Sequence, residues 1–204
     1  MAQREALTDE VAGSRHIVEM FESIESAIDR VSAFVLDGLT QGDAVLLVLR
    51  LAHWNLISSR LTAENILVSD AIAGGRLTVL DAARTLTRIM WHGVPSRGLF
   101  DEVIGQTVRQ LKLEGTSLRV YGDMVDILAA DGFFQAACEL EKLWSELTLR
   151  ESLTVLCGYS SSTFLNPDSS NVLRSICRSH TDVRLNRAGM LPASLTRTLD
   201  LPLE

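Results

Sequence analysis

Six consecutive apolar residues, Ala44-Val-Leu-Leu-Val-Leu49, lie between Gly42-Asp43 and Arg50. A strand that is apolar at every position, rather than at every second one, has to be covered on both faces. That is the condition of a strand inside a parallel sheet with helices above and below. The residues upstream supply one cover. His16-Ile-Val-Glu-Met-Phe21 reads as a preceding strand, and Ser23 as the N-cap of a helix with Glu25 in its first turn. Ile24, Ile28, Val31 and Val35 recur on one face of that helix, which Gly38 and Gly42 bracket at its end.

The alternation continues. A helical stretch over about 52–73 closes at Gly74-Gly75, Leu77-Thr-Val-Leu80 is a strand, and Asp81 caps a helix over about 82–92. A turn over Gly93–Gly98 and a helix over about 99–113 precede the strand Leu118-Arg-Val-Tyr121 and a helix from Met124 that Gly132 breaks. Phe134, Ala137, Leu140, Trp144 and Leu147 mark one face of the next helix, and Leu153–Tyr159 is a fifth strand. A serine-rich loop, Ser160–Thr163, leads to a helix over about 169–179. Strands alternating with helices predict a three-layer α/β fold, a mainly parallel sheet of about five core strands with helices on both faces. A chain of 204 residues suits one such core, predicted over 15–184, with a lead-in over 1–14 and a proline-containing tail over 185–204.

Charge narrows the partners. Residues 1–43 hold nine carboxylates against three arginines, a net −6 out of −7 for the whole chain. An acidic chain without a basic cluster is a poor ligand for a phosphate backbone, so no direct nucleic-acid partner is expected. The apolar runs are too short to span a bilayer, and the first ten residues lack the apolar core of a signal peptide. Three cysteines (Cys138, Cys157, Cys177) without CxxC spacing suggest neither a disulfide framework nor a zinc site. A reducing, cytoplasmic setting is the expectation.

A strand, a loop, a helix ending in glycine and a second buried strand is also how RecA-like ATPases begin, where the first loop reads GxxxxGK[ST]. The corresponding stretch here, Phe21–Arg30, has no glycine and no lysine, and the chain's two lysines, Lys112 and Lys142, do not follow a glycine. Glu22 and Glu25 would face a polyphosphate, each pair costing about 2 kcal/mol at roughly 8 Å and an effective dielectric of about 20. The same acids are accounted for by the positive end of the first helix, where each is worth about 0.3–1 kcal/mol. ATP hydrolysis is not expected.

Several short pieces stand in a recognisable order: His16-Ile-Val-Glu-Met-Phe-Glu-Ser23, Gly38-Leu-Thr-Gln-Gly-Asp43, Leu77-Thr-Val-Leu-Asp-Ala82, Tyr121-Gly-Asp-Met124, Leu140-Glu-Lys-Leu-Trp-Ser-Glu-Leu147, Cys157-Gly-Tyr159 and Ile176-Cys-Arg-Ser-His180. Together they span about 15–181, and in them the chain resembles the MEDS family, the sensory domain of methanogen and methylotroph regulators typified by the dichloromethane-responsive repressor. The resemblance implies a degenerate KaiC/RecA relative that has lost its P-loop and serves as a signal-input domain for histidine kinases or DNA-binding regulators. Where the family has Tyr-Gly-Glu-Met, this chain carries Asp123, one methylene shorter. No kinase or helix-turn-helix pattern follows residue 181, which predicts signalling through a separate protein.

Parallel sheets bind ligands beyond the carboxyl ends of their strands. That rule selects Phe21, Arg50, His53, Asp81, Tyr121, Asp123 and Tyr159 as ligand-binding candidates, a set that could line a mixed apolar and polar pocket. Plain structural roles compete: Asp81 and Asp123 fit helix caps, His16 starts a strand at the far end of the sheet, His180 sits at a helix C-terminus, Trp144 belongs to an apolar stripe, and Cys157 reads as an inert buried thiol. Four scattered histidines propose no metal site, and Ser160–Thr163 lacks the G-x-S-x-G elbow, so neither a cofactor nor a catalytic residue is expected. The resulting expectation is a non-catalytic sensory domain that binds a small organic molecule and relays its state to a kinase or regulator, with self-association left open. The competing expectation is a pseudo-ATPase that docks a partner through its acidic face or tail without any small ligand.

Overall fold

A computed structural model describes residues 13–112, 116–165 and 169–185. Its main sheet has six parallel strands: β1 (Arg15–Phe21), β2 (Ala44–Leu49), β3 (Leu77–Asp81), β6 (Leu118–Gly122), β7 (Thr154–Ser160) and β8 (Asp182–Leu185), in the spatial order β3-β2-β6-β7-β1-β8. A two-residue antiparallel pair, β4 (Met90–Trp91) and β5 (Val94–Pro95), stands apart from it. The helices are α1 (Ile24–Gln41), α2 (Leu51–Ala63), α3 (Val68–Ala73), α4 (Ala82–Ile89), α5 (Arg97–Phe100), α6 (Gln106–Leu111), α7 (Met124–Ala130), α8 (Phe134–Glu151) and α9 (Ser170–Arg178).

Strand order and the right-handed crossover rule together assign each helix to a face. Connections from β1 to β2 and from β2 to β3 run toward one edge, and α1, α2 and α3 cover one face. The later connections run the other way, and α4 through α9 cover the opposite face. The period-two alternation of each strand then fills two cores. Ala44, Leu46 and Val48 of β2 join Val18, Val120, Val155 and Trp144, while Val45, Leu47 and Leu49 join Ile17, Ile28, Val35 and Leu156. All six β2 side chains are buried, as an uninterrupted apolar strand requires.

Local signals account for most boundaries. Ser23 caps α1 in a reciprocal box with Ser26, and Asp81 caps α4 by accepting from the Arg84 amide. Ile24 departs from its expected place: it is 62% exposed, while Ile28, Val31 and Val35 reach the core. The helix expected over 52–73 is two helices, broken at Asn65 in the left-handed region (φ 62°). The turn expected over 93–98 is the β4–β5 hairpin, whose connecting residues His92 and Gly93 both have positive φ (50° and 82°). The helical stretch that follows contains a π-helical segment, Asp101–Gly105, between α5 and α6.

The sheet has a sixth strand where five were expected. β8 is short, alternates Asp182 and Arg184 with Val183 and Leu185, and owes its strand character to pairing with β1 rather than to an apolar run. Leu185 therefore closes β8, while residues 1–12 of the expected lead-in and 186–204 of the expected tail lie outside the described residues. No helix among the described residues is long and apolar enough to cross a membrane.

Candidate functional site

Ligand crevices in open parallel sheets form where neighbouring strands send their connections to opposite sides. β2 leads to one face while its neighbour β6 leads to the other, and β1 and β7 make a second such pair. A cavity of about 310 Å³ opens at the carboxyl ends of these four strands. It is lined by Phe21, Ser23, Ile24 and Ala27 from the end of β1 and the start of α1, and by Arg50 and His53 after β2. Tyr121, Asp123 and Asp126 contribute from the end of β6 and α7, and Gly158, Tyr159 and Ser160 from β7.

The connections at this rim are short, which places each polar side chain. One residue, Arg50, joins β2 to α2, and one residue, Asp123, joins β6 to α7. Asp123 donates its amide to the Val48 carbonyl at 3.1 Å, and its Oδ2 accepts the Arg50 amide at 3.2 Å, so this carboxylate caps α2 from the neighbouring strand. The same Oδ2 meets Arg50 Nη1 at 3.2 Å and His53 Nδ1 at 3.1 Å. Arg50 Nη2 donates to Asp126 Oδ2 at 2.8 Å, and Asp126 Oδ1 accepts the Ser160 amide at 2.8 Å and the Thr163 hydroxyl at 3.4 Å. The network ties the tips of β2, β6 and β7 together.

Electrostatics at this rim favour some ligands over others. Burial acts to lower the Arg50 pKa, but Asp123 and Asp126 outweigh it and the guanidinium is held above its ordinary value. One guanidinium against two carboxylates leaves the rim net negative, which disfavours phosphates and carboxylates and admits neutral or cationic molecules. Asp123 is 2% exposed, and among the described residues its Oδ1 has no hydrogen-bond partner, an unsatisfied buried acceptor beside the cavity.

The apolar wall depends on Gly158. This residue lies in β7 between β1 and β6, and a Cβ built on it would fall 2.7 Å from Tyr121 Oη and 2.8 Å from Phe21 Cε2. Its missing side chain lets both rings close over the strand. Burial, then the Asp123 and Asp126 charges, pushes the Tyr121 phenol well above its ordinary pKa and keeps it neutral. Tyr159 turns to the other face, where its hydroxyl donates to buried Glu141 at 2.7 Å and its ring packs edge-on against Phe164.

Six of the seven residues selected by the strand-end rule, Phe21, Arg50, His53, Tyr121, Asp123 and Tyr159, therefore line one cavity. Asp81 does not join them: its side chain caps α4 at the sheet edge, because β3 is the outermost strand. Asp126 and Gly158 escaped selection. Asp126 stands one helical turn after Asp123, a spacing that carries a signal, whereas nothing local marks Gly158. The Ser160 hydroxyl contacts Ser162 Oγ at 2.7 Å, which leaves it in a serine pair.

Only two residues, Glu22 and Ser23, separate β1 from α1, where a phosphate-cradling loop of backbone amides would need many more. Several carboxylates of the acidic N-terminal segment are paired within the fold. Glu19 pairs with Arg30, Asp37 and Asp43 with Arg119, and Asp29 with Arg60, the last two arginines coming from outside that segment.

A family model described as MEDS, the MEthanogen/methylotroph, DcmR Sensory domain, matches residues 15–181. No curated protein and no solved structure matches the chain.

Proposed function

The chain belongs to the MEDS family of sensory domains, and we propose that it is a non-catalytic signal-input domain that binds a small, neutral or cationic organic molecule in the strand-end cavity and relays its presence to a regulatory protein such as a histidine kinase or transcription regulator. The observation that carries this reading is a strand-end cavity that joins the buried, charge-bearing Asp123 to an apolar Phe21–Tyr121 wall. A ligand with one hydrogen-bond donor and a compact apolar body complements both features. A cavity of about 310 Å³ is at the small end of the range for ligand sites, which suits a small organic molecule. Binding would reorganise the Arg50–Asp123–Asp126 network, which touches α2, α7 and the turn after β7, and those elements offer a route to a partner.

Thermal-shift screening of the full chain against small alcohols, amines and halocarbons tests the proposal. At least one class should raise the melting temperature, and Asp123→Asn should abolish the shift while the variant stays folded. A screen without shifts, together with undiminished partner binding by the unliganded chain, would favour docking without a ligand.

A further inference from the structure

On the face opposite Phe21 and Tyr121, four side chains distant in sequence converge. His16 comes from β1, Glu141 from α8, Cys157 from β7 and His180 from the turn between α9 and β8. His16 is 2% exposed, Glu141 1% and Cys157 0%, and the His180 side chain is likewise sealed from solvent. Glu141 Oε2 is 3.3 Å from His16 Nε2, 3.3 Å from His180 Nε2 and 3.3 Å from Cys157 Sγ. His16 Nε2 and Cys157 Sγ are 3.4 Å apart, and all four atoms lie within 4.8 Å of one another.

The two rings are oriented by their other nitrogens. His16 Nδ1 is 3.1 Å from the Ser179 carbonyl and His180 Nδ1 is 2.7 Å from the Ile176 carbonyl. A carbonyl oxygen only accepts, so each Nδ1 carries a proton, and Nε2 is the ring nitrogen that each histidine turns toward the cluster. His180 Nε2 is buried, and its polar neighbour is Glu141 Oε2 at 3.3 Å. Glu141 Oε1 is engaged by the Tyr159 hydroxyl at 2.7 Å, which leaves Oε2 as the inward oxygen. Carbonyl-anchored imidazoles and a phenol-anchored carboxylate are the outer partners that orient metal ligands.

We propose that His16, Glu141, Cys157 and His180 form a closed, four-coordinate Zn²⁺ site. Zinc bonds of about 2.0–2.3 Å make a tetrahedron with edges of roughly 3.3–3.8 Å. Four of the six donor separations are already 3.3–3.4 Å. The charges also close: one thiolate and one carboxylate balance the dication, the two imidazoles are neutral, and the assembled site can sit in an apolar core without net charge. On binding, the Cys157 sulfur–hydrogen bond is exchanged for a sulfur–zinc bond and the proton leaves to solvent. With every ligand from the protein, the ion has a structural role: it pins the N-terminal half of β1 to β7, α8 and the α9–β8 turn. Through Tyr159 it also stiffens the floor of the strand-end cavity.

The full chain, stripped with a chelator and titrated with Co²⁺, should take up one equivalent. The spectrum should show a thiolate-to-cobalt band in the near ultraviolet and the visible bands of a four-coordinate ion, both erased by Zn²⁺. Zn²⁺ at about a hundredfold excess over its Kd should raise the melting temperature by about 5–10 °C. Cys157→Ser should remove the near-ultraviolet band, Cys138→Ser and Cys177→Ser should leave it, and His180→Gln should weaken Zn²⁺ binding by about 10–100-fold or more. A wild-type chain that gives no thiolate band and leaves Zn²⁺ with a chromophoric competitor overturns the proposal, whatever the variants do. A band that survives Cys157→Ser overturns it equally.

Discussion

Replacing Arg50 with methionine tests whether the strand-end network is a buried structural unit or a solvated surface arrangement. Methionine keeps most of the apolar stem and removes the guanidinium, so lost packing contributes little. Two charge-assisted contacts disappear, at 3.2 Å to Asp123 and 2.8 Å to Asp126, while the Arg50 amide remains bonded to Asp123. Bonds of this type are worth about 1.5–3 kcal/mol each when desolvated. The Arg50 side chain is 31% exposed, which lets water recover part of the loss, whereas Asp123 at 2% has little access to it. The balance is a destabilisation of about 2–4 kcal/mol, or about 5–15 °C in melting temperature for a chain of this size. Urea unfolding of Arg50→Met, Asp126→Asn and the double variant measures it, with an expected coupling of about 1–3 kcal/mol. A single-variant loss below about 0.5 kcal/mol with additive effects is what exposed ion pairs give, and it would refute the assignment of this network as the support of the cavity.

Gly158→Ala should cost about 1–3 kcal/mol by overpacking, since the new methyl meets two buried rings under 3.0 Å, and Tyr121→Ala in the same chain should recover part of it. The chain's two tyrosines, Tyr121 and Tyr159, are both held well above the ordinary phenol pKa, by burial first and then by neighbouring carboxylates. A raised acid pKa means that the folded state keeps protons the unfolded chain releases. Stability is thus unaffected below about pH 10 and falls as pH rises beyond it. Absorbance at the tyrosinate band should stay flat near pH 10 and rise together with the loss of far-ultraviolet dichroism; tyrosinate formation in a folded chain would contradict the assigned burial.

The legible part of this fold was the part encoded within a few residues. Ser23 and Asp81 could be read as caps because a cap is a contact across three residues, and Ala44–Leu49 could be read as a doubly covered strand because its apolar run has no polar face to expose. Where local preference and global placement diverged, the reading slipped. Ile24 has the right spacing for the core but is exposed at the strand-end cavity, β8 became a strand by pairing with β1, and Asn65 splits an otherwise continuous helical pattern.

Six of the seven strand-end candidates line one cavity because a general rule about parallel sheets names the strand ends before the strand order is known. The strand order itself, with β2 beside β6 and β7 beside β1, is where local sequence stops being informative. It decides that Arg50 meets Asp126, that Gly158 lies between Phe21 and Tyr121, and that Asp81 sits out on the edge. It also brings His16 to Glu141, Cys157 and His180 across more than a hundred residues of chain. Periodicity along the chain records which side of each element is buried, because burial is a property of one element's own face. What a buried side chain touches depends on how long crossovers order the strands, and that is settled when the whole core packs.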